Sequence, residues 1–288
     1  MFGETPNTAG ETPTLPETNI RFMNTERFLF SYWNFNPPLL LACGAALGAY
    51  LAAFGFAKKR AWFFLAAIAA LLLTLCSPLN ALADGYLFSA HMTQHILLLL
   101  LVPALLLRSL PENFSPGKIF QKLANPLGCW LCGIGAMWLW HAPALCNAAA
   151  SSRAVSAVQT VSLLAMGSAF WWQILAPNES QRLSPVAAMI YLFTACLGCT
   201  ALGIVITFSP VNVCSIYAHP ADRLGLLSLV RENWGMSHTR DQQIGGLLMW
   251  VPMCLIYTSA IFAQFARWHR GAPEPALARA ESTFVKQS

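Results

Sequence analysis

Residues 185–208 read PVAAMIYLFTACLGCTALGIVITF, an apolar run that contains no charged residue. A helix of about 20 apolar residues crosses a hydrocarbon core of about 30 Å, so this run is long enough to span a bilayer. The whole chain has the same character, because 56% of its 288 residues are hydrophobic and only 10% are charged. Ordinary soluble domains are about 25% charged. The sequence therefore predicts an integral membrane protein.

Six further apolar blocks are long enough, or nearly so, to cross the bilayer, which predicts an all-α bundle of seven transmembrane helices. These blocks cover residues 37–57, 61–79, 91–108, 126–146, 154–176 and 242–267. On this division, residues 1–36 form a disordered to interfacial N-terminal segment, residues 37–268 the membrane domain and residues 269–288 a cytoplasmic tail. The aromatic stretch from Ile20 to Trp33 is expected to lie along the membrane surface.

The distribution of basic residues predicts the orientation of the bundle. If the spans alternate in direction, one side of the membrane holds 11 of the 17 basic residues, namely Lys58, Lys59, Arg60, Arg108, Lys118, Lys122, Arg182, Arg267, Arg270, Arg279 and Lys286. Cytoplasmic loops retain such residues, which places the N-terminus outside and the C-terminus in the cytoplasm. The formal net charge of +5 is modest and no basic run is long. Composition thus indicates the lipid bilayer, and not nucleic acid, as a partner.

Given this orientation, the histidines concentrate at the outer end of the bundle. His91 and His95 open the third span four residues apart, so their imidazoles lie on one helix face. His141 closes the fourth span at the same depth, and Pro143 is expected to end or kink that helix just beyond it. Imidazole suits copper and zinc, while thioether groups select the cuprous ion. We predict His91, His95 and His141 as metal ligands, although interfacial histidines also serve simply to bind headgroups and backbone carbonyls.

Further residues are predicted to support this site. Met92 and Gln94 lie between the two histidines of the third span, and Asp241 and Gln242 open the last span. Asp241 is expected either to cap the N-terminus of its own helix or to orient a ligating histidine through the second ring nitrogen. Weaker candidate ligands on the same side are His219, His238, Cys146 and Asp84.

The nine cysteines lie mostly inside apolar runs, which predicts buried free thiols rather than a disulfide framework. Cys129 with Cys132, and Cys196 with Cys199, form two Cys-x-x-Cys pairs that we expect to serve packing, because neither lies on an exposed loop or in a redox context. We find no Ser-His-Asp order, phosphate-binding loop or pair of catalytic carboxylates. The sequence accordingly favours a protein that is not an enzyme.

Several motifs together resemble the multispan CtaG family of cytochrome c oxidase assembly factors. They are His91-Met92-x-Gln94-His95 with Pro103, Trp140-His141-x-Pro143-x-Leu145, Phe170-Trp171-Trp172, and Asp241-Gln242-Gln243-x-Gly245-Gly246-x-x-Met249-Trp250. The resemblance implies a multi-pass protein of the bacterial inner membrane that is needed for a functional haem-copper oxidase. It implies copper delivery to the oxidase, with oxidase subunits and other copper chaperones as partners. The residue types favour the cuprous form of the metal.

One departure from the family pattern concerns the start of the fifth span. Members of the family often carry further histidines there, where this chain has Ser156 and Gln159. Neither side chain is a good ligand for a soft metal, so a metal site here would have fewer ligands. Three alternatives stay open: a membrane haem protein with axial histidines, a copper transporter, and a metal-free scaffold for oxidase subunits.

Overall fold

The computed structural model describes residues 24–56, 58–117 and 124–271, and these residues form helices and connecting loops without a β-strand. Six helices are long and apolar enough to cross a membrane, and a bent pair of shorter helices supplies a seventh span if it counts as one. The spans are Pro37–Phe54, Lys58–Cys76, Phe88–Ser109, Pro126–Trp140 with Pro143–Ser151, Arg153–Leu175, Pro185–Phe208 and His238–Gly271. The predicted all-α membrane bundle is confirmed.

Proline begins several of these helices. Pro37, Pro126, Pro143 and Pro185 each stand in the first turn, where the missing backbone N–H removes no hydrogen bond from the helix. The fourth span bends by 74° between Trp140 and Pro143. The kink expected from Pro143 is therefore confirmed, and the second half of the span continues to Ser151.

The third span changes its helical pitch in the middle. It runs as an α-helix over Phe88–Ile96, as a π-helical turn over Leu97–Leu101 and as an α-helix again over Val102–Ser109. Pro103 has no N–H to donate to the carbonyl of Leu99 one turn earlier, which accounts for the irregular turn. A Cβ atom on Gly167 of the fifth span would collide with that carbonyl oxygen. Glycine at this position lets the third and fifth spans pack backbone against backbone.

The sixth and seventh spans pack along a similar small-residue contact. A Cβ atom on Gly203 would lie 2.7 Å from Cβ of Trp250, and one on Gly246 would collide with Thr207. Such close approach increases the dispersion contacts that hold membrane helices together when no water drives their association.

Short helices cover the end of the bundle that carries His91, His95 and His141, which we call the histidine end. They are Thr25–Ser31, Pro78–Ala83 and Ser215–Ala218, followed by a π-helical turn at Leu229–Asn233. Phe28 is buried there against Tyr86, Leu226 and Leu229. The expected surface segment from Ile20 to Trp33 falls partly outside the described residues, and its described part includes the helix Thr25–Ser31.

A disulfide joins Cys146, in the second half of the fourth span, to Cys214 in the loop that follows the sixth span. The prediction that the cysteines are free thiols was wrong for this pair, because the two residues are 68 positions apart and meet only in the folded chain. The two Cys-x-x-Cys pairs are unbridged. Cys196 instead lies with its sulfur 2.8 Å from that of Cys254 on the last span.

Candidate functional site

Three imidazoles from two spans meet at the histidine end. The ring centroids of His91 and His95 are 4.5 Å apart, as expected for residues one helical turn apart, and those of His95 and His141 are 5.1 Å apart. All three side chains are buried. His141 lies at the bend of the fourth span, where the first half of that span ends.

Three of the six ring nitrogens of this cluster have no hydrogen-bond partner among the described residues. They are Nε2 of His91 and both Nδ1 and Nε2 of His95. A buried polar atom without a partner costs about 1–3 kcal/mol, so such atoms are rare unless they serve a ligand or a function. The cluster therefore has the capacity to bind an electron-pair acceptor.

His141 is oriented by its backbone neighbour. Its Nδ1 lies 2.5 Å from the carbonyl oxygen of Met137, so Nδ1 is the nitrogen that donates a hydrogen bond. Its Nε2 then carries the lone pair and lies 2.9 Å from Sδ of Met92, which is fully buried. Imidazole nitrogen and thioether sulfur together make a donor set that suits a soft, singly charged cation.

The cluster does not form a finished metal site as it stands. Within the described residues, no three side chains of His, Cys, Asp or Glu are arranged to hold a metal ion. The imidazoles would have to turn about their side-chain bonds for their lone pairs to converge.

Asp241 has a different role from the two that the sequence suggested. Its buried carboxylate accepts hydrogen bonds from the backbone N–H groups of Phe88, at 2.7 Å, and Ser89, at 3.0 Å. These are the first two residues of the helix that carries His91 and His95. Asp241 thus caps the N-terminus of the third span. It does not cap its own helix or orient a histidine ring. A negative charge is favourable at the N-terminus of a helix.

A comparison with known families covers most of the chain. The family model described as cytochrome c oxidase caa3 assembly factor (Caa3_CtaG) matches residues 46–271, which include all three histidines and Asp241. The chain belongs to the Caa3_CtaG family. No curated protein and no solved structure shows significant similarity to it.

The Caa3_CtaG motif residue Gln94 contacts backbone and amide groups rather than the imidazoles. Its Nε2 donates to the Thr74 carbonyl at 2.9 Å and to Oδ1 of Asn80 at 3.0 Å. Gln242 acts in a similar way at the start of the last span, where its Oε1 accepts from the N–H of Val213 at 3.0 Å. Both residues therefore tie neighbouring segments of the chain together.

A further polar residue, from the start of the fifth span, lies beside the cluster. Gln159 is buried and faces His95, and its own Nε2 has no hydrogen-bond partner among the described residues. A fourth polar side chain therefore reaches the site, although its amide is a weak ligand for a soft metal.

The weaker candidates lie elsewhere. His219, His238 and Asp84 are exposed at the histidine end. The prediction that Cys146 is a candidate ligand was wrong, because its sulfur is bonded to that of Cys214 and offers no thiolate.

Sequence reasoning missed Tyr217, which lies in the loop after the sixth span. Its ring centroid is 5.8 Å from that of His91, and its hydroxyl donates to the Ala83 carbonyl at 2.9 Å. Burial raises the pKa of Tyr217 well above its ordinary value, so the hydroxyl stays protonated and keeps this bond. Arg231 holds the loop in place by donating to the Tyr217 carbonyl. A single Tyr in a long loop has no periodic pattern that would have marked it.

Proposed function

We propose that this Caa3_CtaG protein binds a cuprous ion on His91, His95 and His141 and delivers it to a subunit of cytochrome c oxidase. The family match supports a role in oxidase assembly. The observation that supports copper is the group of buried imidazole nitrogens that lack hydrogen-bond partners beside the sulfur of Met92.

The charge of the site favours a singly charged metal ion. Within the part of the chain that the structure describes, no carboxylate joins the three imidazoles, and Asp241 is engaged with the N-terminus of the third span. A doubly charged ion would bring two uncompensated charges into a buried site, which is costly. The cuprous ion brings one charge and accepts nitrogen and thioether ligands.

The same donor set favours transient holding rather than catalysis. Three imidazoles leave a coordination position open, and Gln159 does not supply a strong fourth ligand. An incoming ligand from the oxidase subunit can therefore bind the ion before the histidines release it. We assign the protein a role as a copper chaperone and not as an enzyme.

We further propose that the histidine end faces the outside of the bacterial inner membrane, with the C-terminus in the cytoplasm. The excess of basic residues on the opposite side supports this orientation. The Cys146–Cys214 disulfide supports it independently, because disulfides persist in oxidising compartments. A reporter that is active only outside the cytoplasm should be active when fused after Ser209 and silent when fused after Pro177, and the reverse pattern would overturn the orientation.

The delivery function is tested in a strain whose His91 and His95 are both replaced by Ala. At unchanged membrane abundance of the variant, the oxidase polypeptides should insert but contain too little copper, and activity should fall. Added copper should partly restore activity, because a higher free-ion concentration populates the oxidase site by mass action. A matched strain with His219 replaced, an exposed loop histidine, should behave like the parent.

The alternatives predict other results in the same strain. A metal-free scaffold would yield an oxidase of normal copper content and an activity that does not respond to added copper. The haem alternative stays a prediction from the sequence, and a strong violet absorption band in the purified protein would support it against copper.

A further inference from the structure

A cavity of about 660 Å³, with a wall of mixed polar and apolar residues, lies at the histidine end, between the start of the first span, the helix Pro78–Ala83 and the start of the fifth span. Its wall includes Asn80, Asp84, His91, Gln94, Arg153 and Ser156. Amide, hydroxyl and charged groups are unusual in such number beside membrane spans, which marks the cavity as a water-accessible path.

His91 connects this cavity to the metal cluster. It is the one cluster imidazole in the cavity wall, whereas His95 and His141 lie behind it. More than nine-tenths of His91 is buried, and its Nε2 has no hydrogen-bond partner among the described residues. A metal ion that crosses the cavity therefore meets His91 before it reaches the other two imidazoles, and a turn of the His91 ring brings the buried Nε2 towards the ion.

The cavity is much larger than one ion requires. A water molecule takes about 30 Å³ of the liquid, so the cavity exceeds the space of one ion many times over. Its charged wall residues are Arg153, Arg223 and Asp84, which leaves one excess positive charge. Both arginines are exposed, and neither forms an ion pair among the described residues. A positively charged vestibule repels a free cation and attracts an anion.

We propose that this cavity is the loading port of the copper site, and that copper arrives there as a cuprous complex of a small anionic thiolate or carboxylate ligand. This inference rests on the proposed copper binding. Arg153 and Arg223 attract the carrier, and Nε2 of His91 binds the ion as the bond between copper and the carrier breaks. Copper stays cuprous, and the carrier leaves as the free anion, so the exchange needs no oxidant or reductant.

The route is tested by blocking the cavity in the full chain, reconstituted in lipid nanodiscs. Ala157 lines the cavity, and its neighbour Val158 lies outside the cavity wall and is exposed. We expect Ala157→Trp to slow copper loading from a cuprous glutathione complex by at least about tenfold, while Val158→Trp loads like the parent. Equal loading rates in the two variants would overturn the route.

Ala157→Trp also has to reach the copper content of the parent at long times, which shows that the site itself is intact. If the final copper content of Ala157→Trp is lower than that of the parent, the experiment uses Ser156→Cys instead. A bulky thiol reagent attached to this cysteine blocks the cavity after the protein has folded. The parent treated with the same reagent is the control, and unchanged loading of the labelled Ser156→Cys variant would likewise overturn the route. A parent protein that binds no copper from any donor would refute the proposed function itself.

The anionic carrier is tested by a double substitution of Arg153 and Arg223 with Gln. Loading from cuprous glutathione should slow by about tenfold at low ionic strength, because clefts of one charge raise association rates by factors of about 10 or more. Loading from the cationic cuprous acetonitrile complex should not slow, and the difference should shrink at high ionic strength. Equal slowing for both donors, or none for either, would refute electrostatic attraction of the carrier.

Discussion

The contact between Asp241 and the third span offers a direct test of how the histidines are held. Asn at position 241 keeps the shape of the side chain but removes its charge, and its amide nitrogen cannot accept a hydrogen bond. Two charge-assisted bonds, to the N–H groups of Phe88 and Ser89, would be replaced by one neutral bond and one unsatisfied N–H. Each charge-assisted bond contributes about 1.5–3 kcal/mol and a neutral one about 1 kcal/mol.

We therefore expect Asp241→Asn to lower the free energy of unfolding by about 2–5 kcal/mol, the difference between two charge-assisted hydrogen bonds and one neutral bond. Unfolding of the purified protein in mixed detergent micelles, followed by circular dichroism, measures this change. Thr239→Ala is the matched control, because Thr239 is exposed in the same helical turn and such substitutions change stability by less than about 0.5 kcal/mol. If the Asn variant loses no more than this control, the carboxylate does not cap the third span.

Three further predictions concern the packing around the site. Gly245→Val should destabilise the protein by about 1–3 kcal/mol in the same unfolding assay, because the new side chain collides with the ring of Phe88, whereas Gly44→Ala, in open space, should not. Replacing both Cys146 and Cys214 with Ser should lower the thermal stability measured without reductant by about 2–4 kcal/mol, and an unchanged melting curve would contradict a disulfide in the native protein. Burial raises the pKa of Tyr86 from 10.0 to about 12. The protonated Tyr86 side chain therefore contributes fully to stability below pH 10, and this contribution is lost as the pH rises towards 12. Tyr86→Phe should flatten the alkaline arm of a curve of stability against pH.

The sequence predicted the features of this protein that depend on local patterns. Apolar run length predicted the spans, and the position of Pro143 predicted the bend in the fourth one. The four-residue spacing of His91 and His95 predicted a shared helix face, because helical periodicity is a local property.

Contacts between distant segments were not predictable in the same way. The carboxylate of Asp241 and the N–H of Phe88 are 153 positions apart in sequence, and a carboxylate at the start of a helix most often caps that same helix. The Cys146–Cys214 disulfide and the approach of Tyr217 to His91 both depend on the path of the loop after the sixth span. That loop has no periodic signal, so its path follows only from the tertiary packing.

The proposed function depends on the binding of a cuprous ion by the imidazole cluster. The most direct measurement is a titration of the full chain in lipid nanodiscs with cuprous ion, in competition with a chelator of known affinity, for the parent and for His95→Ala and His219→Ala. The account predicts one cuprous ion per chain, an affinity at least about tenfold lower for His95→Ala, and an affinity close to that of the parent for His219→Ala. Absence of bound copper in the parent, or equal affinities in all three proteins, would contradict it.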